Sequence, residues 1–102
     1  MSIKKQFLKT KASAKISFKV SKVQAAGAQQ IAIVGDFNDW NPKADLMKAL
    51  KDGSFSHNIE LPVGTNYEFR YLADNSRWFN EEEADALAET SFVDAQNSVI
   101  VL

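Results

Sequence analysis

The sequence contains no cysteine, which excludes disulfides, thiolate metal sites and cysteine nucleophiles. It has a single histidine, His57, and no closely spaced set of histidines and carboxylates that would mark a metal site; no cofactor is expected. No apolar run approaches the ~20 residues of a membrane-crossing helix. The start of the chain, Met1 to Thr10, lacks the uninterrupted apolar centre of a secretory signal, so a cytoplasmic protein without a membrane partner is expected. Glycine is scarce. Gly27, Gly35, Gly53 and Gly64 stand apart as turn residues and form no phosphate-cradling loop. The net charge of −1 argues against a chain built to grip nucleic acid, whose backbone is met by an excess of lysine and arginine.

What the sequence does contain is one domain's worth of chain. At 102 residues, with 45% apolar and 25% charged residues, it can bury a core and resembles folded rather than disordered proteins in composition. Its charges are unevenly placed. Lys4, Lys5, Lys9, Lys11, Lys15, Lys19 and Lys22 precede every acid, whereas Glu81, Glu82, Glu83, Asp85, Glu89 and Asp94 follow the last base. Two solvated segments of opposite sign are one meaning; a basic arm that meets an acidic partner or RNA is the other. Residues 1–11 are read as a basic N-terminal segment ahead of a domain over 12–102.

Between Ala12 and Val20, Ala12, Ala14, Ile16, Phe18 and Val20 alternate with Ser13, Lys15, Ser17 and Lys19, the period of a half-buried strand. Ala25-Ala26-Gly27 breaks the pattern. Gln30 to Val34 reads as a short strand covered on both sides, and Leu46 to Leu50 as a weaker one. Asp52-Gly53 supplies a hairpin turn to a return strand in which Phe55, His57, Ile59 and Leu61 share a face. Pro62-Val63-Gly64-Thr65 turns the chain again. Tyr67, Phe69 and Tyr71 then alternate with Glu68 and Arg70, Asp74-Asn75-Ser76 makes a turn, Arg77 to Asn80 forms a short strand, and Ser98 to Leu102 closes the chain. Asn80 to Glu89 is either one or two helical turns, favoured by its alanines and glutamates, or a surface loop. Many short strands with little helix predict two packed antiparallel sheets.

Catalytic signals are thin. His57 is in phase with Phe55 and Ile59, which makes it a partly buried packing residue rather than a base. Glycoside hydrolysis needs two carboxylates about 5 to 10 Å apart across a cleft, which a sandwich this small rarely holds, and Glu81-Glu82-Glu83 reads as a solvated loop. Two tryptophans remain, Trp40 and Trp78. Buried, both belong to the core; held outward on one sheet, they offer flat apolar platforms that match the C–H faces of a pyranose, with ~25 cal/mol gained per Å² removed from water.

The motifs Gly35-Asp36-Phe37-Asn38-Asp39-Trp40, Asp52-Gly53-Ser54-Phe55, Leu61-Pro62-Val63-Gly64, Tyr67-Glu68-Phe69-Arg70-Tyr71 through Trp78, and Asn97-Ser98-Val99-Ile100-Val101 occur in one order. From about residue 14 to the end, the chain resembles the family 48 carbohydrate-binding modules, the isoamylase N-terminal-like domains. Such modules accompany glycogen branching and debranching enzymes and the β subunit of AMP-activated protein kinase. The resemblance implies an immunoglobulin-like antiparallel β-sandwich of about seven strands. It also implies a non-catalytic α-1,4-glucan-binding surface of glycogen or starch type, with Trp40 and Trp78 as stacking rings and Arg70 and Asn97 as polar anchors. Arg70, out of phase with Tyr67, Phe69 and Tyr71, is able to face solvent.

The chain departs from the family at three points. Asp74-Asn75-Ser76-Arg77-Trp78 is one residue longer than the usual Asp-Gly-x-Trp, which could turn Trp78 inward and leave Phe79 as the exposed ring. Ala95 stands near where a hydroxyl residue is usual. Arginine replaces lysine at position 70, and its rigid fork is not an equivalent donor. With no catalytic domain within these residues, a stand-alone glucan-binding module is expected. The alternative is an interaction module that docks onto an enzyme of glycogen or starch metabolism without binding sugar.

Overall fold

The computed structural model describes residues 3–9, 12–81, 84–89 and 96–102. Lys11, Glu82, Glu83, Asp94 and Ala95, all named above, lie outside them. The described elements run β1 (Ile3–Phe7), β2 (Ser13–Val20), α1 (Lys22–Ala25), β3 (Ile31–Gly35), a 3₁₀ turn (Asp36–Asn38), β4 (Lys48–Ala49), β5 (Phe55–Pro62), β6 (Asn66–Ala73), β7 (Arg77–Phe79), β8 (Ala86–Glu89) and β9 (Gln96–Val101). One antiparallel sheet has the order β1-β2-β5-β4; the other has the order β3-β6-β9-β8, with β7 also on β6. The architecture is the expected all-β sandwich, with nine strands among the described residues rather than about seven.

The core is the meeting of two alternating faces. Ala14, Ile16, Phe18 and Val20 of β2 and Phe55 and Leu61 of β5 face Ile31 and Ile33 of β3, Phe69, Tyr71 and Ala73 of β6 and Ile100 of β9, all buried. Aromatic rings bridge the layers, Phe18 meeting Phe69 edge-on at 5.3 Å between centroids. Phe37 also packs into this core, near Phe18 and Tyr67 at 6.3 Å each. His57 is the half-buried packing residue expected, and its Nε2 lies 3.0 Å from Asp45 Oδ1.

The two strands beyond the expected set have physical reasons. In β1, Ile3 is buried and the neighbouring residues are mostly exposed; five residues with two lysines carry too little apolar signal, and pairing with β2 from Ile3↔Phe18 to Phe7↔Ala14 makes the strand. Ala86–Glu89 has helix-favouring composition, yet it pairs with β9 from Ala86↔Val99 to Glu89↔Gln96. The described part of Asn80 to Glu89 is therefore not helical, because ladder hydrogen bonds to an existing strand override a weak propensity.

Three local expectations are also corrected. Glu81 is not solvated: it is buried, its Oε1 accepting from Tyr71 Oη at 2.9 Å and its N–H donating to Ser98 Oγ at 2.9 Å. Gly35 is a strand residue and not a turn residue. Its φ of −169° suits any side chain, but a Cβ there would lie 2.5 Å from the Glu68 carbonyl oxygen and 2.6 Å from Phe69 Cβ, so close approach of β3 to β6 is what demands glycine. Finally, the break before Gly27 holds a short helix, α1, capped by Ser21 and Gln24 in a reciprocal box whose S-x-x-Q spelling is visible in the sequence.

Candidate functional site

Alternation within the second sheet decides which side chains leave the core. Tyr67, Phe69, Tyr71 and Ala73 of β6 face inward, so Glu68, Arg70 and Leu72 face out. Register then assembles their neighbours: Ala32↔Leu72 and Val34↔Arg70 bring β3 alongside, Leu72↔Trp78 brings β7, and Glu68↔Val99 brings the outward residues of β9, including Asn97. Arg70, Trp78 and Asn97 therefore share one outer face. Trp40 reaches the same face from the loop after β3, packing against Ala32, Val34 and Leu72. The four residues named from sequence come from four segments and meet on one sheet.

The tryptophans differ in exposure. Trp78 is 47% exposed. Its neighbour Phe79 is turned inward with its ring 5.2 Å from Tyr71, so the arrangement with Trp78 inside and Phe79 outside does not occur. The longer turn keeps the register because Asp74 and Asn75 adopt left-handed φ of 50° and 56°, Asn75 taking the backbone conformation for which glycine is usual. Asp74 also anchors the turn, its Oδ1 accepting from the N–H groups of Gln29 and Gln30 at 3.0 Å each. Trp40 is half-buried: it closes the small apolar cluster on the outside of β3, which is why every residue of that strand is buried.

The Trp40 loop is tightly specified. Asp39 and Trp40 have φ of 56° and 57°, costly for a residue as bulky as tryptophan. Hydrogen bonds maintain that geometry. Trp40 N–H donates to the Gly35 carbonyl at 2.9 Å, and Trp40 Nε1 donates to Asp36 Oδ1 at 2.9 Å. Below it, Asn38 Nδ2 donates to the Ile33 carbonyl at 2.9 Å and to Asp45 Oδ2 at 2.7 Å, and Asn38 Oδ1 accepts from Gly35 N–H at 3.1 Å.

The polar half of the face is a chain of three side chains. Arg70 Nε donates to Asn97 Oδ1 at 2.7 Å, and Asn97 Nδ2 donates to Glu68 Oε1 at 3.0 Å. Glu68 also donates its backbone N–H to Asp36 Oδ2 at 2.8 Å, so Asp36 links the polar chain to the Trp40 indole. Sequence reasoning missed Glu68 and Asp36 as parts of this face. The signal was there for Glu68, which stands two residues from Arg70 and hence on the same side of the strand.

Flat rings beside a guanidinium and an amide suit a ligand with apolar faces and hydroxyl edges. No group of metal-ligating side chains occurs among the described residues, and among them no helix is long and apolar enough to cross a membrane. No curated protein matches the chain. Residues 22–99 match the family described as the glycogen recognition site of AMP-activated protein kinase, a carbohydrate-binding module family, and the match supports glucan binding in general. On that match over most of its length, the chain belongs to the family of the AMP-activated protein kinase glycogen recognition site.

Proposed function

We propose that this chain is a non-catalytic module that binds α-1,4-linked glucan of glycogen or starch type on the outer face of the second sheet. Trp78 and Trp40 are the stacking surfaces; Arg70 and Asn97 supply polar contacts to hydroxyl groups. The observation that carries this reading is the assembly of these four side chains on one face, with Trp78 held 47% exposed. A large apolar ring left in water on the outer face of a short strand is most useful as a contact. The reading is of a cytoplasmic protein whose partner is the polysaccharide.

The face is open and offers few contacts, so short oligosaccharides should bind weakly against the rigid-body entropy cost of association, and a branched polymer more tightly through avidity. Titration calorimetry with a cyclic α-glucan and retardation in glycogen-containing native gels test this. Trp78→Ala should reduce binding at least tenfold while leaving the melting temperature nearly unchanged, since a loss of about 1.4 kcal/mol of stacking is tenfold in affinity. Wild-type protein that migrates like Trp78→Ala in the glycogen gel would remove the proposal.

A second reading is favoured by Phe7 and Leu87, 57% and 53% exposed on β1 and β8, away from the tryptophan face. These side chains suit docking onto an enzyme of glucan metabolism. Recovery of such an enzyme by wild type, but not by Phe7→Ser with Leu87→Ser, and without competition from glucan, supports this second role.

A further inference from the structure

Asn97 sits between a group that only donates, the Arg70 guanidinium, and a group that only accepts when ionised, the Glu68 carboxylate. An amide in that position has one orientation: carbonyl oxygen to Arg70 at 2.7 Å, amino group to Glu68 at 3.0 Å. The guanidinium uses Nε in this contact. Among the described residues, its two terminal nitrogens have no protein hydrogen-bond partner, so four of its five N–H donors are free for a ligand. Glu68 also reaches the aromatic half, because its backbone N–H donates to Asp36 Oδ2 at 2.8 Å while Asp36 Oδ1 accepts from Trp40 Nε1 at 2.9 Å. The indole N–H is thereby satisfied within the protein, and Trp40 offers its ring rather than a donor.

We propose that Glu68 is the positioning residue of this face: its carboxylate fixes the Asn97 amide, which in turn holds Arg70 with its terminal donors free, while its main chain anchors the Asp36–Trp40 pair. This rests on the glucan-binding reading and deepens it, because it makes Arg70 the main hydroxyl donor and gives Asn97 chiefly an orienting task. A long arginine side chain loses much rotamer freedom when it is ordered. Fixing it before the ligand arrives removes that cost from binding.

The test separates the carboxylate from the fold. Glu68→Gln retains an acceptor oxygen for Asn97 Nδ2 and should bind a cyclic α-glucan within about twofold of wild type, whereas Glu68→Ala should bind about tenfold more weakly, the loss expected for one partly buried, charged acceptor. Both keep the main-chain N–H, so tryptophan fluorescence from Trp40 should not change. A second readout needs no sugar: in ligand-free protein, the Arg70 Nε–H resonance should be protected from exchange in wild type and Glu68→Gln and lose protection in Glu68→Ala. Equal glucan affinity and equal Arg70 protection in Glu68→Ala would overturn the proposal, as would Glu68→Gln as impaired as Glu68→Ala. Should Glu68→Ala not fold, Glu68→Leu replaces it under the same criteria, with the Glu68→Gln comparison deciding alone if neither folds. A wild-type chain that binds no glucan but shows the protected Arg70 signal, lost in Glu68→Ala, would defeat the functional reading and leave the positioning network standing.

Discussion

Single side chains on the two faces of β6 have separate duties, and substitutions tell them apart. Tyr71 is buried, and burial first, then the charge and hydrogen bond of Glu81, push its phenol well above its ordinary value of 10.0. The folded state therefore prefers the protonated phenol. Its contribution to stability is whole below about pH 10, where the unfolded chain also keeps its proton, and is lost as pH rises beyond that. Tyr71→Phe should cost about 1–3 kcal/mol at neutral pH by removing a donor from a buried carboxylate; followed by urea unfolding, this difference should shrink above pH 10. Trp40→Ala should differ from Trp78→Ala in the same assay. It uncovers Ala32, Val34 and Leu72 and should lose about 1–3 kcal/mol of stability along with glucan affinity. Glu81 shows why a charge run misleads: the sequence displays three acids in a row, but not that a tyrosine ten residues earlier delivers a hydroxyl to the first of them.

At the scale of elements, alternation was legible wherever one face of a strand is wet. The patterns through Ile16, Ile59 and Phe69 predict β2, β5 and β6, and the outward phase of Arg70 follows from the same count. Strands without that contrast were not legible. Those are β1, with two lysines in five residues, and β8, spelled Ala-Leu-Ala-Glu, which exist because a neighbouring strand offers a ladder. The β6–β7 turn stands between these cases, since Asp74-Asn75 announces a turn and leaves the fate of Trp78 open. Its left-handed pair settles the facing of Trp78, and this can be tested. Asn75→Gly should keep or slightly raise stability, by up to about 0.5 kcal/mol, without changing glucan binding. Asn75→Val should cost roughly 1–2 kcal/mol, the penalty for a β-branched residue at positive φ. Urea midpoints and the glycogen gel together check both outcomes.

On the scale of the whole molecule, the basic beginning and acidic end of the chain meet. Lys5 of β1 forms an ion pair with Asp85, just before β8, and also donates to the Val101 carbonyl at 3.2 Å, so a side chain from one sheet is tied to the other. Burial pushes Asp85 upward, but hydrogen bonds from Lys5 and the Val101 N–H, with the charge of Lys5, outweigh it and hold the carboxyl below its ordinary 3.8. The contribution is therefore whole above about pH 4 and is lost as pH falls through the depressed value. Both partners are partly exposed, and screening limits the effect: Asp85→Asn should cost about 0.5–1 kcal/mol at pH 7 and low salt. The difference from wild type should shrink progressively as pH falls below about 4, as measured by urea unfolding across that range.

The sequence by itself determined what depends on neighbours along the chain: the alternating strands, the turns at Asp52-Gly53 and Asp74-Asn75, the outward phase of Arg70, and the order of motifs that marks the family. Tertiary structure alone decided what depends on neighbours across the sheets. It placed Trp40 over the outside of β3, put Asn97 between Arg70 and Glu68, buried Glu81 under Tyr71 and demanded glycine at position 35. Pattern along a strand says which side of the sheet a residue occupies, because side chains alternate with a period of two. Which residues then meet on that side is set by strand pairing between segments far apart in the chain, and no local spacing encodes it.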